Sequence, residues 1–86
     1  MTIEELTAAV ITSLPRLGAE NPKTVQGARG ESLTVTYNAK SPITLDFPTP
    51  GWRRSGTNPD PTGERHWKVD FLKNDPDRDA SFGRPA

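Results

Sequence analysis

The amino-acid sequence predicts a small α+β protein: a three- to four-stranded antiparallel sheet with one N-terminal helix packed on its apolar face, a long loop and an irregular C-terminal tail. Period-two alternation of apolar and polar residues within residues 32–47, and again within residues 65–72, predicts the strands. Apolar residues at helical spacing between positions 3 and 14 predict the helix. At about three turns this helix is too short to be stable alone in water, so we expect it to lie on the sheet.

Residues 32–47 are predicted to form a β-hairpin. The apolar side chains that would share one face of it are Leu33, Val35, Tyr37, Ile43, Leu45 and Phe47. Between the two runs, residues 38–42 (Asn-Ala-Lys-Ser-Pro) are typical of a turn, and a proline can only open a strand or stand at its edge. The pattern therefore predicts two antiparallel strands with one apolar face.

Residues 65–72 are predicted to form the third strand. Trp67, Val69 and Phe71 alternate with polar residues, so their side chains would share a face. A short run at residues 23–26 suggests a fourth strand, joined to the first strand of the hairpin by a tight turn at residues 27–30.

The helix is predicted to begin after Thr2, because Thr2-Ile-Glu-Glu5 has the form of a capping box. We expect it to end by Leu14, since Pro15 disfavours helical dihedral angles in the residue before it. Together the helix and the strands predict a core made of Ile3, Leu6, Val10, Leu14, Leu33, Val35, Tyr37, Ile43, Leu45, Phe47, Trp67, Val69 and Phe71.

The chain is predicted to hold a single small domain at residues 1–73. Within it, residues 48–64 form a long loop without periodicity, and a loop of this length in so small a domain is often functional. Residues 74–86 combine alternating charges with prolines and one aromatic residue, Phe82, so we expect an irregular tail that Phe82 could anchor to a groove.

The composition excludes several kinds of site and of partner. The 86-residue chain has no cysteine, which rules out disulfides and thiolate zinc sites. Eleven Lys and Arg balance eleven Asp and Glu, so no overall field attracts nucleic acid or an anionic membrane. The longest apolar run, residues 8–11, is too short for a signal peptide or a membrane span. We therefore expect a soluble cytoplasmic protein without a metal ion or cofactor.

A group of aromatic and basic residues on both sides of the long loop is the strongest local signal of function. Tryptophan and arginine are frequent energetic centres of interfaces, so we expect a partner-binding site there. The residues expected to contact the partner are Trp52, Arg53, Arg54, Arg65, Lys68 and, in the tail, Phe82. A structural interpretation is also open, in which Trp67 belongs to the core, Trp52 closes the end of the sheet and the arginines are simply solvated.

The leading hypothesis is a non-enzymatic interaction module, a small bacterial or phage-type accessory protein that binds a protein partner through residues 48–64 and the tail. A homodimer formed through a sheet edge is also consistent with the pattern. The alternative is a nucleic-acid-binding protein in which arginines bind phosphates and an exposed Trp52 stacks on a base.

A third hypothesis concerns His66, the only histidine, as the acid or base of a small metal-independent nuclease. Residues 60–71, Asp-Pro-Thr-Gly-Glu-Arg-His-Trp-Lys-Val-Asp-Phe, resemble the C-terminal ends of bacterial polymorphic toxin domains, and the resemblance implies such an activity. The run lacks the paired histidines that these domains often carry. On the polar face of a strand, His66 is otherwise an ordinary surface residue.

Overall fold

The computed structural model describes residues 1–59 and 65–74, which form one helix and an antiparallel sheet. In chain order the elements are the helix α1 (Ile3–Arg16) and the strands β1 (Glu20–Gln26), β2 (Ser32–Asn38), β3 (Trp52–Arg54), β4 (Asn58–Pro59) and β5 (His66–Lys73). The strand order is β1-β2-β5-β3, and β4 also pairs with β5. All four pairings are antiparallel, so the predicted α+β class is confirmed.

The helix α1 begins where the sequence predicts. Thr2 Oγ1 accepts a hydrogen bond from the N–H of Glu5 at 3.1 Å, and the N–H of Thr2 donates to Glu5 Oε1 at 2.8 Å, which completes the capping box. The apolar stripe of α1 is buried at Leu6, Val10 and Leu14. Both the helix start and its buried face therefore follow from the local sequence.

The predicted end of α1 at Leu14 is wrong, because Pro15 lies inside the helix and α1 continues to Arg16. A glycine just beyond the helix explains the extension. Gly18 has a φ of +97°, its N–H donates to the Pro15 carbonyl at 3.2 Å, and the N–H of Ala19 donates to the Leu14 carbonyl at 3.0 Å. This Schellman motif satisfies carbonyl groups of the last turn, so the single bond that proline removes there is tolerated.

The strands β2 and β5 form the centre of the sheet. Leu33 lies opposite Phe71 and Val35 lies opposite Val69, so the two alternating runs turn their apolar side chains to the same side. All four side chains are buried. The third predicted strand is therefore confirmed, and it is the direct neighbour of the first.

The predicted fourth strand is also confirmed as β1, which pairs with β2 across a 3-10 turn at Ala28–Gly30. It begins at Glu20, earlier than the predicted start at residue 23. The register shifts between Glu20 and Lys23, where Asn21 has a φ of +52° and Pro22 has no N–H to donate. This irregularity hid the first half of β1 from a reading of the sequence.

The predicted hairpin between β2 and residues 43–47 is wrong, because residues 43–47 belong to no strand. The strand β2 pairs with β1 and β5 instead. Leu45 is nevertheless buried, and Ile43 and Phe47 pack against the core, so the alternation correctly identified the side chains that face inward. Alternation shows which side is apolar but does not reveal the hydrogen-bonding partner of a strand.

The connection at residues 39–51 is held to the sheet by side chains rather than by a strand ladder. Tyr37 Oη accepts a hydrogen bond from the N–H of Ile43 at 2.8 Å, and Trp67 Nε1 donates to the Ala39 carbonyl at 2.9 Å. Since β2 and β3 both run antiparallel to β5, this connection must return along the length of the sheet. It does so on the same side as α1, as its core contacts show.

Part of the predicted loop at residues 48–64 is sheet, because β3 and β4 both lie within it and both pair with β5. Between β3 and β4, three residues (55–57) lie opposite two residues of β5 (69 and 70). The extra residue makes a β-bulge, so β3 and β4 together form one edge of the sheet. Ser55 donates its N–H to the Asp70 carbonyl at 2.8 Å and accepts from the N–H of Asp70 through Oγ at 2.9 Å. Residues 60–64 lie outside the described residues.

The core lies between the sheet on one side and α1 with residues 39–51 on the other. Every predicted core residue belongs to this cluster, although Ile3, Ile43, Phe47 and Trp67 are only partly buried. The sequence missed Ala19 and Trp52, which are 7% and 5% exposed. Of the predicted tail, Asn74 donates its N–H to the Gly51 carbonyl at 2.8 Å, and residues 75–86 lie outside the described residues.

Candidate interaction surface

Trp52 is a core residue. Its side chain is 5% exposed, and its Nε1 donates a hydrogen bond to the Met1 carbonyl at 2.8 Å. It lies at the start of β3, where its ring joins the cluster beneath the sheet. The ring is therefore not available as an exposed anchor for a partner or as a platform for base stacking, and its position fits the structural interpretation.

Arg54 and Arg65 do not lie on the side of the sheet that holds Arg53 and Lys68. Arg54 stands opposite Phe71, and its Nη1 donates to the Leu45 carbonyl, so this guanidinium helps to fix the connection over the core. Arg65 precedes β5 at the other end of the sheet, where its carbonyl accepts from the N–H of Ala39 at 2.9 Å. The expected contact at Phe82 falls on a residue outside the described part of the chain.

Arg53 and Lys68 come together on the side of the sheet that faces away from α1, which we call the open face. The pairings between strands assign its side chains, since residues in register share a face and alternate along each strand. The open face comprises Glu20, Lys23, Val25, Ser32, Thr34, Thr36, Asn38, Arg53, Asn58, His66, Lys68, Asp70 and Leu72. None of these side chains is buried.

The lysine and arginine side chains of the open face have no partner among the described residues. Lys23 and Lys68 both stand beside Thr36, one on each neighbouring strand, so their backbones are about 10 Å apart by the usual strand spacing. Arg53 stands beside Leu72. Within residues 1–59 and 65–74, the side chains of Lys23, Arg53 and Lys68 make no hydrogen bond or ion pair.

The described residues of the open face include two carboxylates. Glu20 lies beside Asn38 at one end of the sheet. Asp70 lies in β5, opposite Thr34. Its Oδ1 accepts a hydrogen bond from Thr34 Oγ1 at 2.7 Å, across the central pair of strands. Three cations against two carboxylates leave this surface with a small excess of positive charge, although the whole chain is neutral. The charge balance of the full sequence therefore conceals a local basic surface.

Two aliphatic side chains are exposed among these charges. Val25 is 66% exposed and Leu72 is 44% exposed. Leu72 lies between Ser32 and Arg53, while Val25 lies beside Thr34. Exposed aliphatic residues next to unpaired cations provide both apolar and electrostatic contact on one surface.

The sequence identified Arg53 and Lys68 as candidates, but it missed Lys23, Val25 and Leu72. Finding these three required the register of β1 on β2 and of β3 on β5, which no local pattern encodes. His66 is half-buried at the end of the open face, opposite Asn38.

Comparison of the chain with protein-family models, with curated proteins and with solved structures finds no match. The described residues include no helix with the length and apolar character that a bilayer span requires. Nor do they contain a group of three or more His, Asp or Glu side chains placed to hold a metal ion.

Proposed function

We propose that this protein is a non-enzymatic interaction module that binds an extended, acidic segment of a partner protein on its open face. The observation that carries the proposal is that Arg53 and Lys68, which make no ion pair within the described part of the chain, share one face of the sheet with exposed Leu72. Carboxylates of the partner would bind the cations, and its aliphatic side chains would cover Leu72. Contacts of both kinds are typical of protein interfaces.

Two features favour a polypeptide over a nucleic acid. The described residues of the open face include no Trp, Tyr or Phe side chain, whereas proteins that bind single strands commonly use such rings as stacking platforms. Both tryptophans lie with the core cluster on the opposite side, and each indole N–H is already bonded to a main-chain carbonyl. A nucleic acid would therefore be held mainly through its phosphates, so we retain it as the competing function.

A titration with defined probes tests the proposal. The probes are a fluorescent peptide in which Glu and Val alternate and a fluorescent single-stranded oligonucleotide, each measured at low and at physiological salt. The double variant Lys23→Glu, Lys68→Glu should weaken peptide binding at least tenfold, about 1.4 kcal/mol, because each reversal replaces attraction with repulsion. Binding of the oligonucleotide alone, with a steep salt dependence, would assign the face to nucleic acid instead.

The matched control is the double variant Arg16→Glu, Lys73→Glu, which makes the same change in net charge away from the open face. It should bind the peptide like the parent protein. Both double variants should remain folded and unfold within about 1 kcal/mol of the parent, because all four side chains are exposed and the largest expected cost is that of a negative charge at the C-terminal end of α1. Equal loss of binding in both would show that only net charge matters, and no binding by the parent protein would end the proposal.

A further inference from the structure

An open pocket of about 580 Å³ lies at the end of the sheet, where α1 ends, β1 begins and β2 ends. Its apolar wall includes Leu17, Ala39 and Ile43, and its charged side chains are those of Glu20, Lys40 and Arg65. Pockets of this size with an apolar wall and a few convergent polar groups are typical of small-molecule sites. Of the residues that line it, only Glu20 and Asn38, which pair where β1 begins and β2 ends, also belong to the open face.

The backbone around the pocket is fixed by hydrogen bonds. The N–H of Ala39 donates to the Arg65 carbonyl at 2.9 Å, which joins two of its walls. The N–H of Ile43 is held by Tyr37 Oη at 2.8 Å, and the Schellman motif at Gly18 fixes the end of α1. The backbone of these walls is therefore fixed before a ligand binds, which lowers the entropic cost of binding.

Arg65 has an unusual conformation at the edge of this pocket. Its φ of +61° lies in the left-handed region, which arginine seldom adopts, and its carbonyl bond to Ala39 holds it there. Strained residues of this kind are frequent at binding sites. Within the described part of the chain, the side chains of Glu20, Lys40 and Arg65 make no hydrogen bond or ion pair, so they are free to bind a ligand.

The apolar wall also has an accessible side chain. Leu17 is 51% exposed, and Ile43, which also lines the pocket, is half-buried. An aliphatic ligand group packed on Leu17 would remove apolar surface from water on both molecules.

We infer that this pocket binds a free aliphatic α-amino acid of the size of leucine. Lys40 and Arg65 bind the α-carboxylate, Glu20 binds the α-ammonium group, and the aliphatic side chain packs on Leu17 and Ile43. The charge pattern supports this class of ligand, because two cations and one carboxylate around an apolar wall match a zwitterion with an aliphatic side chain.

An amide-resolved NMR titration of the full chain with L-leucine tests the inference. Leucine should shift the amide signals of residues 17–20, 39–43 and 65 in a saturable manner, while those of β3 stay unchanged. Lys40→Gln and Arg65→Asn should each weaken binding about tenfold, since each removes one charged contact. Asn is used at position 65 because it tolerates the positive φ better than most residues.

Lys73→Gln is the matched control, because it removes an exposed cation far from the pocket, and it should bind leucine like the parent protein.

Two related ligands test the role of Glu20. 4-Methylpentanoate lacks the ammonium group, and in N-acetylleucine a neutral amide replaces it. Both should bind about tenfold more weakly than leucine to the parent protein, and Glu20→Gln should remove that difference. Equal affinity of the parent for N-acetylleucine and leucine would overturn the amino-acid assignment in favour of a carboxylate such as a peptide C-terminus. Absence of localised shifts would end the inference, and the open-face proposal would stand or fall separately.

Discussion

Three large aromatic side chains of this protein pack their rings in or against the core, and each makes a hydrogen bond to a distant main-chain segment through its polar atom. Trp52 binds the Met1 carbonyl, Trp67 binds the Ala39 carbonyl, and Tyr37 binds the N–H of Ile43. Aromatic residues with a polar tip suit this task, because burial of the ring is favourable and the tip needs a partner when water is excluded. They hold segments that no strand ladder secures.

Replacement of neighbouring residues on β3 separates structural from surface roles. Trp52→Ala should destabilise the fold by about 3–5 kcal/mol, because it empties a core position and removes the bond to Met1. Arg53→Ala should change the free energy of unfolding by less than about 0.5 kcal/mol, since this side chain is exposed and unpaired. Urea denaturation measures both. Comparable stability of the two variants would contradict the burial of Trp52.

At the scale of elements, α1 depends on features at both of its ends. The capping box at Thr2 and Glu5 defines the start, and the Schellman motif at Gly18 allows a proline in the last turn. The hydrogen bond from the Thr2 backbone N–H, followed by that from the Thr2 hydroxyl, lowers the pKa of Glu5 below its ordinary value of 4.5. The charged form of Glu5 is therefore the one that the folded helix stabilises.

This lowered pKa predicts acid sensitivity of α1. Because the folded pKa lies below the unfolded one, Glu5 stabilises the fold fully above about pH 4.5, and this contribution is lost as the pH falls through the folded pKa. Thermal unfolding midpoints measured from neutral to acidic pH should therefore fall less steeply for Glu5→Gln than for the parent. Glu4→Gln, next to it in the first turn but outside the capping box, should keep the parental slope. Identical slopes for the parent and Glu5→Gln would exclude the capping contribution.

The edges of the sheet also have features that limit pairing with another chain. Pro22 interrupts β1 beside its register shift, and Pro59 lies in β4 beyond the bulge at residues 55–57. Proline and bulges on edge strands discourage the addition of a further strand. These features disfavour the edge-to-edge homodimer that the sequence allowed, and they leave the open face as the better surface for a partner.

At the scale of the whole molecule, the two sides of the sheet have separate roles. One side packs on α1 and residues 39–51, and it contains the entire buried cluster. The other side consists of side chains that the core does not need. Changes on the open face can therefore alter binding without altering the fold, which makes the proposed function testable by substitution.

The same division predicts where the fold opens first. The amides of Val35 and Val69, in the middle of the central strand pair and beneath buried side chains, should exchange with solvent most slowly. Those of Ser41 and Asn58, both exposed at the periphery, should exchange fastest among the described residues. Hydrogen exchange followed by NMR measures this order. Slower exchange in β4 than in β5 would contradict the assigned sheet centre.

The candidate surface was only partly visible in the sequence. Arg53 and Lys68 stood out as basic residues near tryptophans, and they do share a face. Trp52 was marked by the same sequence pattern, but its side chain lies in the core. A tryptophan next to arginines gives the same sequence pattern whether its ring is buried or exposed. Lys23 gave no signal at all, since its place beside Thr36 depends on the pairing of β1 with β2.

The sequence by itself determined the start of α1, the α+β class and which side chains face the core. Capping and periodicity are local properties, and local properties can be read from neighbouring residues. Only the tertiary structure decided that β2 pairs with β5 rather than with residues 43–47, that Trp52 is buried and that Arg65 borders a pocket. Each of these depends on contacts between segments far apart in the chain, and such contacts are selected by packing of the whole core rather than by any single run of residues.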